Sequence, residues 1–175
     1  MGDLTSAALP PAGADDHVRG QPGAPLVLFY GDFTCVHCAV AALKLRDLPL
    51  RVAYRHVVLA ARGTRGAALA RAAEAAALQD AFWPVHDQLF GDQGHQDDPH
   101  LWALCDQLGL DVEQFDRDRR SDAIAERVSA HTRAALRGGA TGTPTLVLPD
   151  GTLHVGELDA GVLQRLDLGR DTTVT

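Results

Sequence analysis

The chain has 175 residues, 46% of them hydrophobic, and a formal charge of −7 at pH 7. That is enough apolar material for one core and falls within the size of a single domain. The acidic balance argues against a phosphate backbone as partner, and no apolar run approaches the length needed to cross a bilayer, so neither nucleic-acid binding nor membrane insertion is expected.

Residues 1–14, rich in Ala, Pro and Gly, read as a flexible N-terminal segment. They lack the basic start and long apolar stretch of a secretory leader. The chain as written is therefore expected in the cytoplasm, and a trimmed leader would place it in the periplasm or another extracytoplasmic space. Leu26–Tyr30 is continuously apolar, as expected of a strand covered on both faces. A helix from Val36 to about Asp47 follows and should end before Pro49. Arg51–Val58 reads as a second strand, at a spacing that suits a parallel, right-handed βαβ unit.

Residues 64–138 read as helical. Ala67–Leu78 is built mostly of the strongest helix former. Pro84 suits the first turn of the next helix, with a break near Phe82, and Asp98-Pro99 supplies a cap and an N1 proline for another. Asp111 with Gln114 resembles a capping box, and Ser121 opens a long helix that stops at Gly138-Gly139. Arg117, Arg119 and Arg120 alternate with Asp116 and Asp118, the pattern of a solvated helix face. Thr145–Leu148 and Thr152–Val155 form a hairpin through Pro149-Asp150-Gly151, and a last helix over about Asp159–Leu166 precedes a flexible tail at 169–175.

The chemistry concentrates at Cys35-Val36-His37-Cys38, directly after the first strand. A strand, a tight turn and a helix would deliver Cys35 to a helix start, where unpartnered N–H groups favour an anion. Thiolate is the reactive form in disulfide exchange. An unperturbed thiol with pKa near 8.5 is only about 3% ionised at pH 7, and lowering it to about 5 takes about 4.8 kcal/mol. A helix terminus supplies at most about 2 kcal/mol of that. Direct N–H to sulfur hydrogen bonds and a nearby cation must supply the rest, and His37 is placed to give a charge or a donor. Cys35 is thus read as the attacking sulfur and Cys38, one turn further in, as the resolving one.

Competing readings of CxxC exist. A closed zinc site needs a second ligand pair, and Cys105 stands alone, so only His17 and His56 could be recruited through the fold. Haem attachment fails because Ala39 follows Cys38. A structural disulfide would close a very short loop and stabilise little. No metal and no cofactor is expected at the redox pair. Far downstream, Thr141-Gly142-Thr143-Pro144-Thr145 leads into a short apolar strand, where a proline belongs at the entrance. A cis Thr143–Pro144 bond would hold a bare strand edge beside Cys35, on which an extended peptide could pair.

Asp16-His17-Val18-Arg19-Gly20, Tyr30-Gly31-Asp32-Phe33-Thr34-Cys35, Tyr54-Arg55-His56, Ala81 to Asp87 and Gly142-Thr143-Pro144-Thr145 resemble, in the same order, the DsbA-like members of the thioredoxin superfamily. The resemblance spans about residues 15–167. It implies an α/β, thioredoxin-like fold: a central mixed sheet flanked by helices, one domain over 15–168, with an all-helical insertion at about 62–140. It also implies thiol–disulfide exchange with protein or peptide thiols and disulfides, recycled by a redox partner protein or a small thiol. Carried over by residue, Cys35 is nucleophile, Cys38 resolver, His37 a tuning residue, and Pro144 the cis-proline preceded by Thr143. The chain departs from the family at Val36, where relatives often have proline, and at Phe29, where they often have a buried glutamate; the Cys38 proton would then go to water or to Asp32. The threonine before the proline occurs in oxidising, reducing and isomerising relatives alike, which leaves the direction of electron flow open.

Phe33, exposed by the turn, is expected to contact substrate together with Val36, Thr143 and Pro144. Cys105 falls at helical spacing with Leu101, Leu104 and Leu108 and reads as a core thiol. Phe82 and Trp83 read as core of the insertion, and His56 and His86 as packing residues. The alternatives to an enzyme are a catalytically idle thioredoxin-like peptide-binding module and a zinc-dependent interaction domain.

Overall fold

An unbroken apolar strand needs cover on both faces, and β2 (Leu26–Gly31) has it: every residue after Leu26 is buried. In the computed structural model, which describes residues 8–59 and 63–168, β2 is the middle strand of a five-stranded sheet. It runs parallel to β3 (Arg51–His56), in a register from Leu26 opposite Arg51 to Gly31 opposite His56. The crossover between them is α1 (Val36–Arg46). Beyond β3 lies β1 (His17–Arg19), antiparallel to it. On the other side of β2 come β4 (Thr145–Val147) and β5 (Leu153–Val155), each antiparallel to its neighbour. The resulting order, β1-β3-β2-β4-β5, is the mixed sheet expected from the resemblance.

Helices α2 (Arg65–Ala77), α3 (Phe82–Gly91), α4 (Asp98–Leu108), α5 (Val112–Asp118) and α6 (Asp122–Arg137) connect β3 to β4, and α7 (Ala160–Leu168) closes the chain. Their starts follow the capping residues. Asp111 accepts from the Gln114 amide at 2.8 Å and Ser121 from the Ile124 amide at 3.3 Å. The cap of α4 is one residue earlier than expected: Asp97 accepts from His100, so Pro99 stands at N2. Either aspartate precedes the proline closely enough to serve, and the pattern alone does not separate them.

Strand β1 carries no sequence signal, being too short for periodicity. It is held by what surrounds it. Gly20 ends it with φ +116, and a Cβ there would stand 2.2 Å from the Leu50 carbonyl oxygen, so only glycine allows this approach. Arg19 reaches Asp87 of α3 at 2.7 Å. Residues 1–7 and 169–175 lie outside the described residues, but the carbonyls of Pro10 and Pro11 each accept from Arg55 at 2.7 Å. Arg55 is in turn paired with Asp16 at 2.6 Å and donates to the Tyr30 hydroxyl. A buried guanidinium has several N–H groups to satisfy, and this stretch of chain satisfies two of them.

A second charge network ties the insertion to the sheet. Glu74 of α2, buried, accepts from His56 of β3 at 2.8 Å, lies 3.1 Å from His17 of β1, and takes the Arg127 Nε of α6 at 2.7 Å. Burial alone would raise its carboxyl, but the hydrogen bonds from His17 and His56 overcome that and hold it far below the usual carboxylate range.

Two imidazoles, the buried His86 and the half-buried His131, are held toward the neutral form. Burial lowers His86 to about 4 against the pull of Asp87, and burial, His56 and Arg127 lower His131 to about 4. Both fall below the ordinary value near 6.5, so between about pH 4 and 6.5 the unfolded chain binds more protons and stability falls as pH falls. Taken singly, each imidazole should cost about 2 kcal/mol on going from pH 7 to 5. Urea unfolding at the two pH values should show that loss, and His86→Phe should remove about half of it.

Candidate active site

The turn between β2 and α1 is set by one carboxylate. Asp32 Oδ1 accepts from the Thr34 amide at 2.8 Å and from the Thr34 hydroxyl at 2.7 Å, and the Asp32 carbonyl accepts from the Cys35 amide at 3.0 Å. This tight loop makes Cys35 the N-cap of α1, with φ −91 and ψ 117. Its carbonyl accepts the first helical bond, from Ala39 at 3.1 Å. The N–H groups of the first turn have no partner within the helix. No acidic residue stands in that turn, and Lys44 and Arg46 occupy the last one, so the charge pattern leaves the positive end of the helix to the sulfur.

The two sulfurs differ in environment. Cys35 is 4% exposed, at the surface end of the helix, whereas Cys38 is 0% exposed. Burial, followed by its hydrogen bond to Cys35, holds the Cys38 thiol far above an ordinary thiol, while the Asp32 backbone and the Thr143 hydroxyl beside its sulfur pull the other way. A Cys38 proton directed at Cys35 favours negative charge on Cys35 over Cys38, so the two sulfurs are chemically unequal.

The second wall of the site comes from far along the chain. Pairing of Tyr30 with Thr145 sets β4 beside β2 and brings the preceding loop to α1. There the Thr143–Pro144 peptide bond is cis, and the Thr143 carbonyl oxygen lies 3.4 Å from Cys35 Sγ. The loop is closed by Thr145 Oγ1 donating to the Gly142 carbonyl at 2.7 Å and by Gly156 donating to the Pro144 carbonyl at 2.8 Å. His37 points along the rim and pairs through Nδ1 with Glu157 at 2.7 Å, both side chains exposed. Val36, 65% exposed, starts an apolar stripe on α1 that continues through Val40 and Leu43.

Phe33 is not on that rim. It is 1% exposed and packs against Phe90 at 4.7 Å and Tyr54 at 5.4 Å between ring centroids. The turn directs an aromatic ring into the core, where its burial is worth more than contact with a passing substrate. Two residues absent from the sequence reading hold this turn from outside. Gln93 donates to the carbonyls of Phe33 at 2.8 Å and Cys35 at 3.2 Å, and Gln96 donates to Phe33 at 3.0 Å. Both lie between α3 and α4, and no local signal distinguishes such glutamines from solvated ones.

His17 and His56, the imidazoles a zinc reading would recruit, both face Glu74. His56, Glu74 and His131 bring ligand atoms within 4.8 Å of one another, but the Arg127 guanidinium already occupies Glu74, and a bound dication would have to share that space with it. Cys105 is buried in α4.

Residues 47–166 match the family model described as the DSBA-like thioredoxin domain. That match begins after Cys35 and Cys38, so the redox pair rests on the geometry above. Among curated proteins, the chain is 39% identical over 166 residues to the Na(+)/H(+) antiporter NhaA of Herminiimonas arsenicoxydans, covering 90% of this chain and 26% of that protein. It is also 39% identical over 168 residues to Na(+)/H(+) antiporter NhaA 1 of Mycolicibacterium gilvum, covering 89% and 27%. The chain thus spans about a quarter of the length of these curated relatives. Among solved structures, a thioredoxin-like oxidoreductase from Silicibacter pomeroyi DSS-3 superposes with TM-score 0.77 at 26% identity, over 92% of this chain and 95% of that one. The thiol-disulfide exchange protein alpha-DsbA2 from Wolbachia pipientis shares the fold, with TM-score 0.75 at 19% identity over 87% and 85% of the chains.

Removing the buried ring by Phe33→Ala should cost about 3–5 kcal/mol, whereas Val36→Ala, on the open rim, should stay within about 0.5 kcal/mol of wild type. Chemical denaturation of the two variants checks this, and equal losses would return Phe33 to the surface.

Proposed function

Since this chain belongs to the DSBA-like thioredoxin domain family, we propose that it is a thiol–disulfide oxidoreductase acting on polypeptides through Cys35 and Cys38. One observation carries the reading: Cys35 occupies the N-cap of α1, 4% exposed and 3.4 Å from the Thr143 carbonyl, with Cys38 fully sealed one turn behind it.

The mechanism follows from that asymmetry. The Cys35 thiolate attacks a substrate disulfide and forms a mixed disulfide. Cys38 then loses its proton and attacks Cys35 Sγ, which releases the substrate as a thiol and leaves Cys35–Cys38 oxidised. In the opposite sense a substrate thiolate opens the Cys35–Cys38 bond to give a mixed disulfide and the Cys38 thiol, and a second substrate thiolate then attacks the substrate sulfur of that bond, leaving the substrate as a disulfide and Cys35 as the departing thiolate. The potential of the pair against that of the compartment decides the direction. An extended peptide would pair along the Gly142–Thr143 backbone, with Val36 and Pro144 as apolar contacts. His37 supports the Cys35 anion when protonated, and Glu157 draws part of that charge to itself.

The 26% identical oxidoreductase aligned over nearly its whole length supports the chemistry. We do not assign ion antiport to the stretch in common with the antiporter-named relatives: no helix among the described residues is long and apolar enough to cross a membrane, and the matched quarter corresponds to the domain described above.

Wild type should accelerate the reduction of insulin by dithiothreitol. Cys35→Ser should fall to the uncatalysed rate, and Cys38→Ser should accumulate a mixed disulfide detectable by mass spectrometry. A peptide-binding module without catalysis would show neither effect, and undiminished turnover in Cys35→Ser would refute the assignment.

A further inference from the structure

The connection between α3 and α4 reaches the reactive loop from the side of the insertion. It opens with Asp92-Gln93-Gly94-His95, a sequence suited to a tight turn with aspartate at its first position. That turn forms: the His95 amide donates to the Asp92 carbonyl at 3.3 Å, and the His95 ring pairs back to the Asp92 carboxylate through Nδ1 at 2.8 Å. Gln93 is half-buried on this turn. Its Nε2 donates to the carbonyl of Phe33 at 2.8 Å and to that of Cys35 at 3.2 Å. A side-chain amide nitrogen carries two hydrogens, so both are engaged, one on each side of Thr34.

Gln96 supplies the contrast. It is buried, and its Nε2 donates to Phe33 at 3.0 Å and to Leu89 at 2.9 Å, which ties the loop to α3 through Phe33. Bracing the loop accounts for Gln96 and leaves the bond from Gln93 to Cys35 unexplained. The direction of the Cys35 carbonyl is set by ψ 117, the dihedral that keeps this residue an N-cap; a helical residue has ψ near −42°. The same carbonyl accepts the first helical bond, from Ala39 at 3.1 Å, so Gln93 holds it from a second side. Without that donor the peptide after Cys35 gains freedom to rotate, and two carbonyl dipoles beside the thiol lose the hydrogens that offset them. Both changes disfavour an anion on the sulfur.

We propose that Gln93 is a positioning residue for the Cys35 thiolate: through the Cys35 carbonyl it fixes the N-cap conformation, and its amide hydrogens offset the carbonyl dipoles on either side of Thr34. This rests on the redox reading of the pair. It gives the helical insertion a part in the chemistry, since a side chain from between α3 and α4 then helps to set how readily the attacking sulfur ionises. Gln93 acts through the backbone of Cys35 and takes no proton or electron in the exchange.

The test is Gln93→Met, which keeps the length of the side chain and removes both donors. Thiolate in the reduced protein is titrated by its ultraviolet absorbance, with Cys35→Ser as the blank, and urea unfolding is followed in parallel. The Cys35 pKa should rise by about one unit, a tenfold loss in its ionisation constant. Gln93→Glu, equal in size but with oxygens facing the two carbonyls, should raise it further. Gln96→Leu loosens the same loop and leaves Cys35 its donor, so its Cys35 pKa should stay within about 0.3 unit of wild type. An unchanged pKa in Gln93→Met, whatever the loss in stability, would reduce Gln93 to a brace and overturn the assignment. An equal rise in Gln96→Leu would overturn it too, and if Gln93→Met does not fold, an unchanged pKa in Gln93→Glu does so in its place. Undiminished insulin reduction by Cys35→Ser would defeat the redox reading itself, which is a separate result.

Discussion

The position of the Cys35 sulfur depends on a turn of three residues held by one carboxylate. Asp32 bonds Thr34 through its side chain and Cys35 through its carbonyl, and this converts the direction of β2 into the axis of α1 without spare length. A looser connection would let Cys35 slip into the helix or away from it. In either case the unpartnered N–H groups would face solvent or another residue, because the field of a helix end fades within a turn. The same geometry puts Cys38 on the inner side of α1, so a single backbone arrangement sets one sulfur at the helix start and seals the other a turn further in.

The rest of the molecule stiffens that turn. The insertion is long, yet it returns to the site: Gln93 and Gln96 grip the carbonyls of Phe33 and Cys35, and Glu74 fastens α2 to β1 and β3. Phe33 adds a ring to the core just before Cys35. The helices between β3 and β4 therefore act as a brace on the reactive loop as well as a lid over the sheet. A charge as deeply buried as Glu74 is tolerated because three donors share it.

Much of this was legible in residue pattern, and the reasons differ by element. Strand β2 and helix α1 announce themselves because burial on both faces and a following proline leave few other conformations for those residues. Asp111 and Ser121 mark helix starts because a short polar side chain has a specific bond to make there. Strand β1 was invisible because three residues show no period, and its place comes from pairing with β3. Phe33 misled because a loop position suggests exposure, while the direction of a side chain in a turn is set by dihedral angles that composition does not reveal. Gln93 and Gln96 were missed for a related reason: their partners lie about sixty positions upstream, and a side-chain amide carries no mark of the carbonyl it will find.

Cys105 gives the molecule a third sulfur that takes no part in the arrangement. It is enclosed in α4, and burial, then the charges of Asp106 and Asp116, push its thiol up to about 11. At neutral pH it is neither ionised nor reachable. In the proposed redox cycle a mixed disulfide on Cys35 would meet one internal thiol, Cys38, and scrambling onto Cys105 would be suppressed for as long as the fold stays closed. Selectivity in a chain with three cysteines is here a property of packing, and any loosening of α4 would first be felt as promiscuous pairing.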